Sequence, residues 1–323
     1  MEAHQQITLI GLGTIGISMA ALHLLDPLTT LHLFDTRPDV EEYIHAQLPT
    51  FLTQVSASIS VTKLISSGRI RIHKSLEEAC ASPTIVQEQG PENVAFKRRL
   101  WAQVEKLAPP SAHFWSSTSG IAASLQNADM CDKSRLLVVH PFNPPHIMPL
   151  LEVVPTPGTD PSRVEFVKTY FAKLSPRHRP VVIRKEVPGI VGNRLAFALL
   201  REACHLVHEK VVDPKDLDTI MMASLGPRWT IGGVFEGYNS GGGNGGFDSF
   251  LNKLENTIQE VWDDLGKEDI RGESGGLWRE QVVSEVMATY GEPTLGQGQE
   301  REAKLMELFQ RQSPDRLINC EIA

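Results

Sequence analysis

Three glycines and an aspartate near the start of the chain have the types and spacing of a dinucleotide-binding turn. Gly11, Gly13 and Gly16 follow the apolar run ITLI, which is typical of a buried strand, and precede the helix-like stretch ISMAALHLL. Glycines in this pattern let a pyrophosphate approach the backbone N–H groups at the start of a helix. Asp35 ends the next apolar run, LHLF, where a ribose-binding carboxylate belongs. The pattern predicts a nicotinamide dinucleotide and hydride-transfer chemistry.

The aspartate also bears on which dinucleotide binds. A carboxylate at this position repels the 2′-phosphate of NADP, so Asp35 favours NAD. Arg37 stands two residues later and is the residue that could instead accept that phosphate. Thr14 and Ile15 lie between the second and third glycines, and we count them with the turn as cofactor-binding candidates. The sequence therefore predicts NAD as the cofactor.

A second set of polar residues lies farther along the chain. Ser119 in SSTSG and His140 in HPFNPP each follow a predicted strand, Glu152 lies in LLEVVP, and Asn193 opens a long helical pattern. Each of them also has a purely structural interpretation. Ser119 could cap a helix, His140 could be a hydrogen-bonded core residue, Glu152 could be a strand-edge carboxylate, and Asn193 could be an ordinary helix N-terminal residue.

Taken together, these four residues favour chemistry on a hydroxyl group. Parallel strands bring their carboxyl ends to one edge of a sheet, where ligands bind. Oxidation of a hydroxyl group needs a base with a pKa near neutrality, and His140 can supply it. Glu152 would orient the imidazole and stabilise its protonated form, while Ser119 and Asn193 would hydrogen-bond the developing alkoxide. The set predicts an active site without a metal ion.

The elements that would position these residues alternate between strands and helices. The further apolar runs typical of strands are PTIVQEQ, HFWSST, RLLVVHPF, LLEVVP and PVVIRK. Helical patterns lie near residues 41–48, 92–107 and 162–174. This alternation predicts an α/β fold with a Rossmann-like, mostly parallel sheet and helices on both faces. The direction of the later strands is left open.

After Pro188 the pattern becomes helical, and no strand is predicted beyond residue 190. Apolar residues recur every four positions at Val191, Leu195, Leu199, Ala203 and Val207. Asp213 before Pro214 predicts a capped helix start, and further helical patterns lie near 247–266, 276–290 and 298–312. We therefore expect an NAD-binding domain over residues 1–187 and an all-helical substrate and dimerisation domain over 188–323. The glycine-rich stretch 240–246 is expected to be a flexible loop between helices.

Composition narrows the class of protein. The chain has 323 residues and a formal net charge of −8, which argues against nucleic acid or an anionic membrane as a partner. No apolar run reaches membrane-spanning length. The four cysteines, Cys80, Cys131, Cys204 and Cys320, lack metal-ligand spacing and are expected to be free thiols. With the first strand so near Met1 we expect no signal peptide, and therefore a cytoplasmic protein.

The chain resembles the L-3-hydroxyacyl-CoA dehydrogenase superfamily over nearly its whole length. The resemblance rests on GLGTIG, VQEQGPEN, SSTSG, HPFNPPHIMPLLEVVP, VPGIVGNRL and DPKDLDTIMMASLGPRW, and it is closer to the L-gulonate 3-dehydrogenase or lambda-crystallin branch. It implies that His140 and Glu152 are the family's catalytic pair and that the chain forms a homodimer. It also implies the active-site serine and asparagine at Ser119 and Asn193, and two residues on the nicotinamide side at Glu92 and Lys97.

The chain also departs from that family. Ser117 stands where the family often has asparagine, so a substrate or nicotinamide contact is expected to differ. Enzymes of CoA thioesters carry a longer, lysine-rich insertion after the second strand, whereas QLPTFLTQVSASISVTKLISSGRIRIHK has few basic residues. The glycine-rich stretch 240–246 departs as well. Arg228, in GPRW, matches an arginine of the gulonate-like branch and is expected to bind a substrate carboxylate, with a surface salt bridge as the alternative.

We therefore predict an NAD-dependent oxidoreductase that interconverts a small 3-hydroxy acid, or a related 3-hydroxyacyl compound, and its 3-keto form. One alternative is a dehydrogenase of CoA thioesters. Another is a non-catalytic, crystallin-like NAD-binding protein, which the intact His140 and Glu152 pair disfavours. The β-hydroxyacid dehydrogenases related to 6-phosphogluconate dehydrogenase carry a lysine shortly before the interdomain asparagine. Here Gly189 stands four residues before Asn193, so that family is disfavoured.

Overall fold

This computed structural model describes residues 4–55, 60–271 and 275–311, and the strands of the described residues form one sheet of eight. The strands are β1 (Gln6–Ile10), β2 (Thr30–Phe34), β3 (Ile70–Ile72), β4 (Ile85–Glu88), β5 (His113–Ser116), β6 (Leu136–Pro141), β7 (Leu150–Val154) and β8 (Arg179–Val182). The first seven helices are α1 (Thr14–His23), α2 (Val40–Val55), α3 (Val61–Ser66), α4 (Leu76–Ala79), α5 (Val94–Leu107), α6 (Ala123–Gln126) and α7 (Pro161–Leu174). The other seven are α8 (Gly192–His208), α9 (Pro214–Ala223), α10 (Leu225–Trp229), α11 (Val234–Gly241), α12 (Gly246–Asp264), α13 (Gly275–Tyr290) and α14 (Leu295–Arg311).

The strand order is β3-β2-β1-β4-β5-β6-β7-β8, and every neighbouring pair is parallel except β6 and β7. The predicted mostly parallel, Rossmann-like sheet is therefore confirmed. The order reverses between β1 and β4, and such a switch point leaves a crevice at the carboxyl ends of the strands. The dinucleotide turn follows β1 and therefore opens onto this crevice.

Helices cover both faces of the sheet, as the pattern of strands and helices predicts. Neighbouring residues of one strand pack into different hydrophobic clusters: Trp115 joins the cluster of Leu9 and Ile17, whereas Phe114 joins that of Val86 and Trp101. Strands buried on both faces read as continuous apolar runs, which is why LLVVHP and HFWS lack alternation. α1 is itself almost wholly buried from its third residue onward, which explains its uniformly apolar sequence.

The sequence missed the smallest elements. β3 has three residues, and α4 and α6 have four each, so none is long enough to show a period. No helix of the described residues is long and apolar enough to cross a membrane.

The chain divides into two compact units. The first holds the residues up to Asn193 together with the part of α14 from Gln299, and the second holds Arg194–Gly298. The division thus lies within the start of α8, a few residues beyond the position 187 expected from the sequence. α14 is shared between the units, whereas the sequence places it in the second domain.

Within the second unit, the described residues form helices and connecting turns. Asp213 caps α9 with its side chain, which accepts a hydrogen bond from the N–H of Asp216, as the sequence predicts. The glycine-rich stretch connects α11 to α12 through a tight turn. A Cβ on Gly242 would lie 1.6 Å from the carbonyl oxygen of Gly246, so this turn needs glycine. The stretch therefore has a steric role that its composition alone did not indicate.

Candidate active site

The turn after β1 lines a cavity of about 820 Å³ at the switch point of the sheet. Gly11 has a φ of +88°, a conformation that favours glycine. A Cβ on Gly16 would lie 2.1 Å from the carbonyl oxygen of Gly11, so α1 approaches the turn too closely for any side chain there. Two of the three glycines are thus required by the backbone itself.

The remaining glycine, Gly13, faces open space. Gly13 is the N-cap of α1, and a Cβ placed on it would meet nothing within 4 Å. No side chain caps this helix and no acidic residue lies in its first turn, which starts with the exposed Thr14. Free N–H groups and the helix dipole favour an anion at such a terminus. The gap at Gly13 and the uncapped helix fit the pyrophosphate of a dinucleotide.

Asp35 lines the same cavity, at the end of β2. Its Oδ2 accepts the N–H of Leu12 at 2.6 Å, and its Oδ1 accepts the N–H of Arg37 at 2.9 Å. The guanidinium of Arg37 lies over the ring of Tyr43 and 3.2 Å from Asp39. The carboxylate thus belongs to the cavity, while Arg37 already has partners.

A second cavity, of about 400 Å³, lies against the first and shares Gln89 and Gly90 with it. It brings together residues that are far apart in the sequence. Its lining residues are Ile15, Gln89, Gly90, Glu92, Ser117, Ser119, His140, Pro141, Phe142, Asn143 and Asn193. Three of the four predicted catalytic side chains therefore face one space, and the fourth, Glu152, lies directly behind His140.

The antiparallel pairing of β6 and β7 explains the spacing of His140 and Glu152. The two residues are directly opposite each other in the ladder, so their side chains emerge on the same face. Nδ1 of His140 lies 2.8 Å from Oε2 of Glu152, and both residues are buried. A neutral imidazole that donates from Nδ1 to this carboxylate keeps Nε2 as its basic nitrogen.

The other oxygen of Glu152 is held by the start of α8. Oε1 accepts the N–H groups of Val191 at 3.0 Å and of Gly192 at 2.9 Å. Burial raises the pKa of Glu152, but the hydrogen bonds from His140 and from these two N–H groups outweigh it, so the pKa lies below its usual value. The carboxylate is therefore ionised at neutral pH.

Ser119 is hydrogen-bonded to two other residues that line the cavity, Glu92 and Asn193. Its N–H donates to Oε1 of Glu92 at 2.7 Å and its hydroxyl lies 3.3 Å from the same oxygen. Thr118 donates to the other oxygen of Glu92 at 2.6 Å. The side-chain amide of Asn193 donates to the carbonyl oxygen of Ser119 at 3.3 Å. Glu92 and Asn193 thus fix the SSTSG turn from two sides.

Lys97, which the resemblance places on the nicotinamide side, forms a buried ion pair in this structure. Lys97 is wholly buried, and its Nζ lies 2.7 and 2.9 Å from the two carboxylate oxygens of Glu88. It lines neither cavity. Glu88 also accepts the N–H of Gly90 and the hydroxyl of Ser116. Through its ion pair with Glu88, Lys97 therefore stabilises the loop that contains Gly90.

Arg228 lies in the second compact unit, on α10, and its side chain is exposed. There it lines a cavity of about 410 Å³ together with Trp229, Glu236 and Tyr238. The surroundings include one acid and two aromatic rings, so the cavity offers both polar and apolar contacts.

Sequence reasoning missed the residues that support the site. Glu88, at the end of β4, lies in the apolar run PTIVQEQ and in the motif VQEQGPEN, but neither pattern indicates its buried ion pair with Lys97. Gly192 was not singled out, yet a Cβ on it would lie 2.2 Å from the ring of Phe142, which lines the cavity beside His140. Among the described residues no cluster of His, Cys, Asp or Glu could hold a metal ion.

Comparison with known proteins agrees with this geometry. Residues 6–187 match the family model described as 3-hydroxyacyl-CoA dehydrogenase, NAD binding domain, and residues 189–276 match the model of its C-terminal domain. A 3-hydroxyacyl-CoA dehydrogenase of Gibberella moniliformis is 32% identical over 282 residues, which cover 86% of this chain and 84% of the relative. An L-carnitine dehydrogenase of Pseudomonas putida is 31% identical over 256 residues, 78% of each chain.

A solved structure is also similar along nearly the whole chain. It is that of 5-formyl-3-hydroxy-2-methylpyridine 4-carboxylic acid 5-dehydrogenase, described as an NAD+-dependent dismutase. The TM-score is 0.79 at 28% identity, with coverage of 95% of this chain and 98% of the other.

The fold and the cavities define an NAD-dependent oxidoreductase with a Rossmann-like domain and a helical domain. The chain belongs to the 3-hydroxyacyl-CoA dehydrogenase family. The family, the enzyme class and NAD as cofactor are thus confirmed. The relatives described above include L-carnitine dehydrogenases, a branch related to the gulonate-like one that the sequence suggested.

Proposed function

We propose that the protein catalyses the reversible oxidation of a small, free 3-hydroxy acid to its 3-keto form, with His140 as the base. The observation that carries this proposal is the position of His140, opposite Glu152 in the ladder and lining the cavity with Ser119 and Asn193. Bound NAD supplies the acceptor for the hydride that leaves the carbinol carbon. We also propose a division of labour between the domains. The sheet domain up to about residue 187 binds the cofactor, and the helical remainder contributes to substrate binding.

In the direction of oxidation, Nε2 of His140 takes the proton of the substrate hydroxyl group. The O–H bond breaks and its electron pair forms the carbonyl as the hydride departs. Glu152 keeps Nδ1 protonated and stabilises the imidazolium that results, because its carboxylate is ionised and buried beside the ring. In the reverse direction His140 returns the proton to the carbonyl oxygen. General-base catalysis of this kind contributes about 10²–10⁴-fold.

Ser119 and Asn193 hold the reacting oxygen. Both line the cavity with His140, and the hydrogen bond between Asn193 and the carbonyl oxygen of Ser119 keeps them adjacent. Glu92 positions the SSTSG turn and so sets the place of the serine hydroxyl. Ile15, at the start of α1, forms part of the wall on the dinucleotide side.

The substrate class is proposed from charge. α2 contains no lysine or arginine, so this helix offers no cation to the phosphates of CoA. Relatives at about the same identity are named for L-carnitine, which is itself a free 3-hydroxy acid. We propose Arg228 as the cation that binds the substrate carboxylate. The free acid proposed here differs from the CoA thioester in the name of the Gibberella relative.

The role of His140 is tested with the variant His140→Ala. NADH formation should fall by about 10²-fold or more, while the Kd of NAD+, measured by calorimetry, stays near that of the wild type. His45→Ala, an exposed histidine on α2, is the matched control and should leave both values unchanged. Full turnover by His140→Ala would refute the assignment of the base.

The substrate class is tested with a panel of compounds. L-carnitine, L-gulonate, 3-hydroxybutyrate and 3-hydroxybutyryl-CoA would each be assayed for NADH formation. Turnover of the free acids above that of the thioester supports the proposal, and the opposite order favours a CoA enzyme. Tight NAD+ binding without turnover of any compound would favour a non-catalytic, crystallin-like protein.

We further propose a homodimer formed through the helical unit. α8 carries large apolar side chains that are more than half exposed in the single chain: Leu195 at 64%, Phe197 at 60% and Leu200 at 55%. Exposed apolar side chains that cluster are typical of an interface, and Phe197 and Leu200 lie three positions apart on the same side of α8. Sedimentation at micromolar concentration should give twice the monomer mass. The variant Phe197→Glu should shift it towards the monomer, whereas a wild-type chain that sediments as a monomer would refute the dimer.

We also propose a cytoplasmic location. Cys80, Cys131 and Cys204 are free thiols, and Cys131 is exposed, which suits a reducing compartment. Fractionation of the source cells with an antibody to the protein would test this, and recovery with secreted proteins would refute it.

A further inference from the structure

A chain of buried polar side chains runs through the first compact unit and ends in the catalytic cavity. Its members come from four separate elements: Tyr170 on α7, His23 on α1, Gln87 on β4 and Ser117 directly after β5. His23 and Gln87 are wholly buried, whereas Ser117 lines the cavity with Ser119 and His140. The reaction proposed above uses none of these four residues. Buried polar networks of this kind fix the orientation of each hydroxyl and amide group in them.

The hydrogen bonds of this chain have a direction. The side-chain amide of Gln87 donates to Oγ of Ser117 at 2.9 Å, and its Oε1 accepts from Nε2 of His23 at 2.8 Å. An amide oxygen has no hydrogen, so Nε2 of His23 must carry one. Burial lowers the pKa of His23 to about 4, so the ring is neutral and its Nδ1 is an acceptor. Tyr170, whose pKa burial raises, therefore donates to that Nδ1 at 2.7 Å.

Every donor in the chain thus points towards the cavity. The Ser117 hydroxyl group stands last and accepts from Gln87, so its own hydrogen needs an acceptor. Within the described ranges, the only side-chain hydrogen bond of Ser117 is the one that it accepts from Gln87. Its backbone N–H is already used, because it donates to the carbonyl oxygen of Glu88 at 2.8 Å. Ser117 is only partly buried and lines the cavity, so its hydroxyl hydrogen is available to a ligand that replaces solvent there.

The charge of the cavity argues against a carboxylate as that acceptor. The residues that line it include the acid Glu92 and neither lysine nor arginine. A substrate carboxylate at Ser117 would therefore have no counter-ion there, whereas a neutral carbonyl oxygen needs none. The cavity shares Gln89 and Gly90 with the dinucleotide cavity, so NAD bound in the first cavity would extend its nicotinamide end into the second.

We propose that Ser117 donates a hydrogen bond to the carboxamide oxygen of the nicotinamide ring and that Gln87 is the residue that orients it. Ser117 is then a cofactor-contact residue, and Gln87, held by His23, is a positioning residue. This inference rests on the proposed function only in placing the nicotinamide beside His140. It assigns a role to Ser117 that is independent of the identity of the substrate.

The test compares two ligands by calorimetry, without turnover. NAD+ carries the nicotinamide ring, and ADP-ribose lacks it. Ser117→Ala should raise the Kd of NAD+ about 3- to 10-fold, the range for one neutral hydrogen bond, and leave the Kd of ADP-ribose within about twofold. Ser82→Ala, at an exposed serine in the loop before β4, is the matched control and should alter neither.

The positioning role of Gln87 is tested by a double-mutant cycle. Gln87→Met keeps the size of the side chain and removes the donor, so it should also weaken NAD+ more than ADP-ribose. If Gln87 acts through Ser117, the effect of Ser117→Ala on NAD+ binding should be less than twofold in the Gln87→Met background. Independent, additive effects would overturn the positioning role.

Two results would overturn the contact itself. One is an unchanged Kd of NAD+ in Ser117→Ala, which is also the result expected if Ser117 binds the substrate. The other is equal weakening of NAD+ and ADP-ribose, which would indicate damage to the fold. Neither result depends on catalysis, so failure here is distinguishable from a failure of His140 as the base.

Discussion

At the scale of single residues, the site combines a histidine that lines the cavity, His140, with a carboxylate, Glu152, whose two oxygens are both hydrogen-bonded. Glu152 uses one oxygen for His140 and the other for two backbone N–H groups, so it cannot turn away from the imidazole. A carboxylate held in this way determines which nitrogen of the histidine is basic. In the proposed mechanism the base, His140, therefore depends on a residue that does not itself line the cavity.

The variant Glu152→Gln tests this dependence. An amide in place of the carboxylate can present its NH₂ group to Nδ1, so the hydrogen moves to Nε2 and the base is lost. We expect turnover to fall by about 10²–10⁴-fold with the Kd of NAD+ unchanged. Glu165→Gln, an exposed residue of α7, should behave as the wild type. Turnover within a few-fold of the wild type in Glu152→Gln would contradict the orienting role.

Asp35 makes a second prediction at this scale, about cofactor choice. Its carboxylate lines the dinucleotide cavity, and Arg37 is held by Tyr43 and Asp39. We expect the wild type to bind NAD+ at least about tenfold more tightly than NADP+, because the carboxylate repels the 2′-phosphate. Asp35→Asn keeps an oxygen for the N–H of Leu12 and should narrow the ratio of the two Kd values. A wild type that prefers NADP+ would contradict the role of Asp35.

At the scale of elements, the two glycines of the first turn of α1 serve different ends. Gly16 is needed because β1 and α1 approach so closely that a Cβ would overlap the carbonyl of Gly11. Gly13 is open on the side of the cavity, so nothing in the protein itself requires glycine there. Gly16 is therefore required by the fold, whereas Gly13 leaves room for a ligand.

A matched pair of alanine variants separates these roles. Gly16→Ala should destabilise the fold by about 1–3 kcal/mol, because the helix must shift to admit a methyl group. Gly13→Ala should leave the urea midpoint near that of the wild type and raise the Kd of NAD+ about tenfold or more. If Gly13→Ala binds NAD+ normally, the pyrophosphate does not lie at the start of α1.

At the scale of the whole molecule, four buried or partly buried histidines are expected to contribute to the pH dependence of stability. Burial lowers the pKa of His23, His32, His113 and His146 to about 4, whereas the unfolded chain has values near 6.5. Between these pH values the unfolded chain binds protons that the native protein does not. The free energy of unfolding that these neutral rings contribute is therefore fully present above about pH 6.5 and is lost as the pH falls towards 4.

His113 offers a clean test of this effect. Its ring stacks on Phe166 at 3.8 Å, and its buried Nδ1 has no hydrogen-bond partner among the described residues. His113→Phe keeps the stack and removes the titration. The loss of unfolding free energy between pH 7.5 and 4.5, measured in urea, should be smaller in this variant by about 1–2 kcal/mol. The control variant His45→Gln, at an exposed histidine, should lose as much unfolding free energy as the wild type. If His113→Phe also loses as much as the wild type, the assignment to His113 is contradicted.

Local patterns in the sequence determined the class of fold and most of its elements. The buried strands, the long helices and the glycine turn were predicted because apolar periodicity and glycine spacing are properties of short segments. The candidates His140, Glu152, Ser119 and Asn193 were found because each follows or lies in a recognisable strand or helix start. The strand β3 and the helices α4 and α6 are not predicted, because three residues of strand or a single helical turn are too short to show a repeat.

Only the tertiary structure decided how these pieces meet. It placed His140 opposite Glu152 by making β6 and β7 antiparallel, a direction that the residues left open. It also paired Lys97 with Glu88 beneath the loop, and joined Tyr170, His23, Gln87 and Ser117 into one directed chain. The physical reason is that strand pairing and buried hydrogen bonds join residues many positions apart, and no local pattern records which donor will find which acceptor.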